Sequence, residues 1–357
     1  MSFSISAAED VISKEQAELL SCLYLTFKQV FKEVALIPGF TIHFIGSNSP
    51  GLLTEDPEIL SKRIKQRNLP TKYINDYYLR FRMSPERLQY LHHAVKADAS
   101  VLLNRDFHPI SYFYSLYLWL ANFNKKMIGS IENIFQLKIF YYYFLLLIFF
   151  LVGIYFYSGR QKIEKLTARA IYVSMILIGC TTISLEIIII HSFQAIYGYA
   201  YFQLTLIMTG FMIGLACGSW ISLRHLSSTQ LGIARFAYFQ LWLTSYPIVA
   251  YLFFLFLLQI SLPSVLVQLI FLTLIIGLGF IGGYQFPLAN SIIYRQRSKI
   301  DSVSGTIYAW DLFGAVIGAL LTSTFVIPVF GLTSAIFSFA ILNFVIFALL
   351  ILVKKLN

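Results

Sequence analysis

Along this chain the spacing of apolar positions changes character near residue 138. Before it, apolar residues recur in short stretches at strand or helix spacing. After it, they run for about 20 residues at a time. MSFSIS alternates like a strand. Ser13 and Gln16 then form a capping-box pattern ahead of Leu19, Leu20, Leu23, Phe27, Val30 and Phe31, which predicts a helix. Short strands are predicted at 33–37 and 41–46, with Pro38-Gly39 as the turn between them. Thr54 is read as the cap of a helix with Glu55, Asp56 and Pro57 in its first turn. Ser84 is read as the cap of another, with Pro85 at its first position. Residues 109–123 read as an amphipathic helix rich in Tyr and Leu. The order strand, helix, two strands, helices is that of the tail of an α/β domain.

Seven later runs are long and apolar enough to cross a bilayer: 139–157, 170–191, 201–222, 237–259, 264–284, 304–327 and 333–353. Their loops alternate in charge. Arg160, Lys162, Lys165 and Arg169 follow the first run, Arg224 and Arg235 the third, Arg295, Arg297 and Lys299 the fifth, and Lys354 and Lys355 the last. The loops near 192–200, 260–263 and 328–332 carry no Lys or Arg. Basic loops stay cytoplasmic, so the C-terminus is placed inside a multi-pass protein of the cell membrane, a bacterial inner membrane being expected. The side occupied by residues 1–138 stays open. If the first run crosses, those residues lie outside without a visible signal peptide. Otherwise that run does not cross, or upstream spans set the topology.

Composition agrees with this division. The chain is 58% hydrophobic and only 12% charged, too apolar for a soluble protein of 357 residues. Its net charge of +10 does not indicate nucleic acid, because the 11 basic residues beyond residue 138 all flank apolar runs. Residues 1–138 hold 13 of the 17 acidic residues, and two of the remaining four, Glu186 and Asp311, lie inside apolar runs. A carboxylate there is costly and is a functional candidate by default. Three uses are open: hydrogen bonding to polar groups on neighbouring helices, holding a cation or protonated amine, or relaying protons. His191, at the end of a span, reads as interfacial. Gly210, Gly214 and Gly218, and again Gly314 and Gly318, recur every fourth residue and read as helix-packing stripes. Gly277, Gly279, Gly282, Gly283 and Pro287 are expected to loosen or break their helix.

Several chemistries are excluded by missing patterns. No Gly-rich strand–turn–helix segment could hold a nucleotide or sulfonium cofactor, and GLGFIGG at 277–283 lies within a membrane run. There is no metal-ligand spacing, and the adjacent His92 and His93 would point to different helix faces. Cys22, Cys180 and Cys217 form no pairing pattern and read as small apolar residues.

Some segments nonetheless resemble a known family. SFSIS, ISKEQAELLSCLYLTFKQVFKEVALIPGFTIHFIGS and LNRDFHPISYFYSLYLWL look like the C-terminal half of a spermidine synthase-like domain. ISLEIIIIHSFQAIYGYAYF, MIGLACGSW, GGYQFPLAN, GTIYAWDLFGAVIGALL and IPVFGL resemble the membrane part of its membrane-fused branch. The resemblance spans Met1 to about Gly331. It implies a partial Rossmann-like α/β segment over 1–135 and a helical membrane domain over 136–357. It also implies aminopropyl transfer from decarboxylated S-adenosylmethionine to putrescine. The family's cofactor loop, ribose-binding acid and catalytic aspartate have no counterpart here, so no cofactor is expected for this chain alone and its catalytic residues are not assigned. Asn104 and Asp106, with His108-Pro109, resemble the family's stretch near the substrate pocket, with Arg105 in place of a small residue.

Three functions follow. The chain is a subunit or shortened form, not catalytic alone, whose partner supplies the N-terminal half of the synthase-like domain. Alternatively it transports or binds polyamines or other cationic solutes through Glu186 and Asp311, or it is a membrane scaffold. Lipid bilayer, the separate chain and a second copy of this one are the partners considered.

Overall fold

The computed structural model describes residues 1–7, 11–96, 101–123, 163–198, 201–228, 232–260, 262–296 and 300–356. The chain divides into two units. One comprises Met1–Arg105 and the helix Ile110–Phe123. The other comprises Asp106–His108 and everything described from Ile163 onward.

The first unit begins with β1 (Ser2–Ser6), α1 (Lys14–Val30), β2 (Glu33–Ile37) and β3 (Thr41–Ser47). Four helices follow: α2 (Pro57–Gln66), α3 (Asp76–Arg82), α4 (Pro85–Lys96) and α5 (Ile110–Phe123). The Ser13 side chain accepts the Gln16 N–H at 3.2 Å and so starts α1. The cap of α2 is Asp56 rather than Thr54: Asp56 accepts the Glu58 N–H at 2.8 Å, while Thr54 Oγ1 accepts the N–H of Asp56 itself. Pro57 explains the shift, because a proline fits the first helical position and forces the cap to the residue before it.

The strands form one sheet in the order β1-β3-β2, and β3 is antiparallel to both neighbours. This small antiparallel sheet is not the multi-stranded parallel sheet of a Rossmann-like domain. Alternation sends Phe3, Phe44 and Leu36, which lie opposite one another in register, to the same face. There they meet Leu20, Tyr24 and Phe27, spaced along one side of α1. Each such side chain contributes roughly 1.5–3 kcal/mol by leaving water. The β2–β3 turn uses Gly39 at φ 136°, and the Arg82 guanidinium holds it by donating to the Pro38 and Thr41 carbonyls at 2.7 and 2.9 Å.

The second unit is helical: α6 (Ile163–Tyr197), α7 (Tyr201–Ser228), α8 (Ile233–Gln259), α9 (Ser264–Gln296), α10 (Ile300–Leu321) and α11 (Gly331–Leu356). A π-helical segment, Thr322–Phe330, joins the last two. Among the described residues five stretches, not seven, are long and apolar enough to cross a membrane. The expected span 139–157 lies outside the described residues. Those expected at 304–327 and 333–353 are one apolar stretch, Ser304–Lys355. The two runs are separate helices joined by the π segment around Pro328, which cannot donate a backbone hydrogen bond. Gly318 packs on Cys180 and Asn343 bonds Thr181, the next residue of α6, so the chain folds back between α10 and α11. The turn between them includes Gly331, where φ is 80°.

The expected break near Gly277–Pro287 does not occur, and α9 runs through it. Pro287 deprives the Gly283 carbonyl of its helical donor, and Ser219 Oγ of α7 donates to that carbonyl at 2.9 Å instead. The glycines serve close packing. A Cβ at Gly214 would strike Ile276 and Phe280 backbone, one at Gly218 would strike Phe280 and Tyr284, and one at Gly279 or Gly283 would strike α7 in return. Four residues up α7 correspond to four residues up α9, so these two helices are parallel. Gly314 against Ile176 and Gly318 against Cys180 make α10 parallel to α6 in the same way. By contrast, the contacts of Gln240 with Asn343 and Tyr251 with Phe337 run in opposite senses, so α8 and α11 are antiparallel.

Candidate functional site

The polar groups inside the helical unit are its chemically distinctive feature. Glu186 is 7% exposed on α6, the most enclosed of the long helices. It has no hydrogen-bond or ion-pair partner among the described residues. Asp311 on α10 is half-buried against α6: a Cβ at Gly179 would lie 2.9 Å from its Oδ1. Gly179 precedes Glu186 by seven residues, about 10 Å of helix rise at roughly 1.5 Å per residue. The two carboxylates therefore occupy different depths and are not a pair. His191 donates Nδ1–H to the Ile187 carbonyl at 2.9 Å, a local bond along its own helix.

Sequence reasoning passed over a set of neutral groups that the fold brings together. Gln285 Nε2 of α9 donates to Gln240 Oε1 of α8 at 3.0 Å. Gln240 Nε2 donates to Asn343 Oδ1 of α11 at 2.7 Å, and Asn343 Nδ2 donates to Thr181 Oγ1 of α6 at 2.9 Å. All four side chains are buried, and the run ties four helices together. Thr322 Oγ1 adds a link from the π segment to Ser184 at 2.7 Å. At the head of the run Gln285 Oε1 accepts nothing among the described residues. Gln285 lies in GGYQFPLAN, so the signal was available as a strongly polar side chain in an apolar run. Its partners, 45 and more residues away, were not.

Residues Asp106–His108 belong to this unit. His108 Nε2–H donates to the Val329 carbonyl at 3.0 Å, and Phe107 O accepts the Leu332 N–H at 2.8 Å. Asn104 belongs to the first unit, where its side chain accepts the Ser111 N–H at 3.1 Å at the start of α5. The fold therefore assigns Asn104 and Asp106 to different units.

In the first unit a cleft of about 430 Å³ is lined by residues including Lys28, Lys32, Glu55 and His92. Glu55 accepts the Leu36 N–H through Oε1 at 2.8 Å and the His92 Nε2–H through Oε2 at 2.8 Å. His92 is thus tied to a carboxylate rather than paired with His93. Among the described residues, no three of His, Cys, Asp or Glu are grouped to hold a metal ion.

Fold and buried polar layer together define a class: a helical integral membrane protein carrying a small α/β unit. Comparison with protein-family models, curated proteins and solved structures finds no match.

Proposed function

We propose that this membrane protein acts as a subunit of a spermidine synthase-like assembly, with its first unit forming the terminal part of a larger α/β sheet. The observation carrying the reading is the direction of the strands. Both β1 and β2 are antiparallel to β3, so they run parallel to each other, and the helix α1 connects them. A helical crossover between parallel strands is the building unit of α/β sheets. The outer edge of β1 pairs with no strand among the described residues. Aminopropyl transfer requires a donor and an amine held in line. The described residues of the first unit contain no Gly-rich phosphate- or sulfonium-binding turn, so the remaining strands and the donor site come from another polypeptide segment. The test is to incubate the purified chain with decarboxylated S-adenosylmethionine and putrescine, and to repeat this with any stoichiometric polypeptide that remains bound in mild detergent. Spermidine formed only with the second polypeptide supports the reading. Spermidine formed by the chain alone, or by neither preparation, defeats it.

A second reading has its own observation: Glu186 is buried without a partner, as a counter-charge awaiting a cation would be. Uptake of labelled polyamine into proteoliposomes should fall with Glu186→Gln and with Asp311→Asn. Unchanged uptake in both removes this reading.

A further inference from the structure

From the surface of the first unit we infer a site for an anionic lipid surface, built on residues 62–87 around α3. The stretch carries eight Lys or Arg and only two acidic residues. Several of its large apolar side chains point outward: Leu69 is 50% exposed, Tyr73 75%, Tyr77 86% and Phe81 60%. Tyr77 and Phe81 are four residues apart and share one face of α3, while Leu79, on another face, is buried. An exposed cluster of this kind marks an interaction surface.

Charge identifies the occupant. One of the two acids is neutralised within the unit, since Asp76 binds Lys65 and Ser61. Lys62, Arg67 and Lys72 have no ion pair among the described residues, and Lys72 stands over the Tyr73 ring at 5.5 Å. The Arg87 guanidinium lies over the Phe81 ring at 4.1 Å. Tyrosines beside basic side chains suit the headgroup layer, where rings reach toward acyl chains and cations meet lipid phosphates. Each basic residue near an anionic surface strengthens partitioning roughly five-fold. The same chain carries helices long and apolar enough to cross a membrane.

The experiment uses the full chain in lipid nanodiscs of phosphatidylcholine, with or without phosphatidylglycerol, and follows amide hydrogen exchange. Residues 67–82 should exchange several-fold more slowly in the anionic discs. That protection should be lost in the Lys62→Glu, Arg67→Glu, Lys72→Glu triple variant and reduced in Tyr73→Ser, Tyr77→Ser. Unchanged exchange over α1 and β3 confirms that these variants are folded. Equal exchange in the two lipids overturns the inference. So does equal protection in detergent, which would mean that protein, such as a second copy, covers the patch.

Discussion

At the scale of single residues, burial sets reactivity and polar pairing sets stability. Cys22 is fully buried, and burial pushes its thiol up to about 11. At pH 8 only about one thiol in a thousand is ionised, so Cys22 should escape maleimide until the first unit unfolds. Mass spectrometry of the alkylated protein before and after denaturation checks this, and labelling of Cys22 in the native protein would refute it. His43 on β3 is held below its ordinary 6.5, first by burial and then by the Arg82 charge. Protons therefore bind the unfolded chain more readily than the folded one. The first unit should lose stability as pH falls through about 6.5, and His43→Gln should be less sensitive. Hydrogen exchange over β3 at pH 7.5 and 5.5 measures the difference. In the helical unit, Asn343→Ala strands Gln240 Nε2 and Thr181 Oγ1 in a dry interior and should cost about 1–3 kcal/mol. An unchanged unfolding temperature in detergent would contradict the importance of that run. These amides were each visible in the sequence, but their connection was not, because hydrogen bonds between residues 240 and 343 depend on how helices pack.

At the scale of elements, the parallel helix pairs depend on missing side chains. A Gly279→Leu or Gly314→Leu change drives a side chain into facing backbone, and should separate α9 from α7 or α10 from α6. Gly277→Ala should be tolerated, because its nearest neighbour across the contact is the Tyr246 ring at 3.7 Å. Yield of monodisperse protein in detergent distinguishes the two outcomes. Ser219→Ala should cost about 1 kcal/mol by leaving the Gly283 carbonyl unpaired, and much less in a Pro287→Ala background, where the helical donor returns. Equal losses in both backgrounds would show that Ser219 does not compensate for the proline. The strands and most helices of the first unit could be read from alternation and turn residues. The continuity of α9 could not, because glycine and proline punctuate a helix only where nothing replaces the lost contacts.

At the scale of the whole molecule, the parallel pairs have a topological consequence. Helices α6 and α10 point the same way with three helices between them, and so do α7 and α9 with one between. That is the pattern of helices alternating across a bilayer. The basic loops then set the sign. Reporters placed between α7 and α8, or between α9 and α10, should face the cytoplasm, and reporters near Gly198 or Pro263 should face outside. The opposite assignment would overturn the charge reading.

By itself the sequence determined the helical membrane character, the short strands and the glycine stripes. All of these are local signals of composition and period. Only the tertiary structure decided the β1-β3-β2 order, the parallel helix pairs and the amide run through four helices. Each depends on contacts between residues distant in sequence, where the direction and register of packing select which side chains meet.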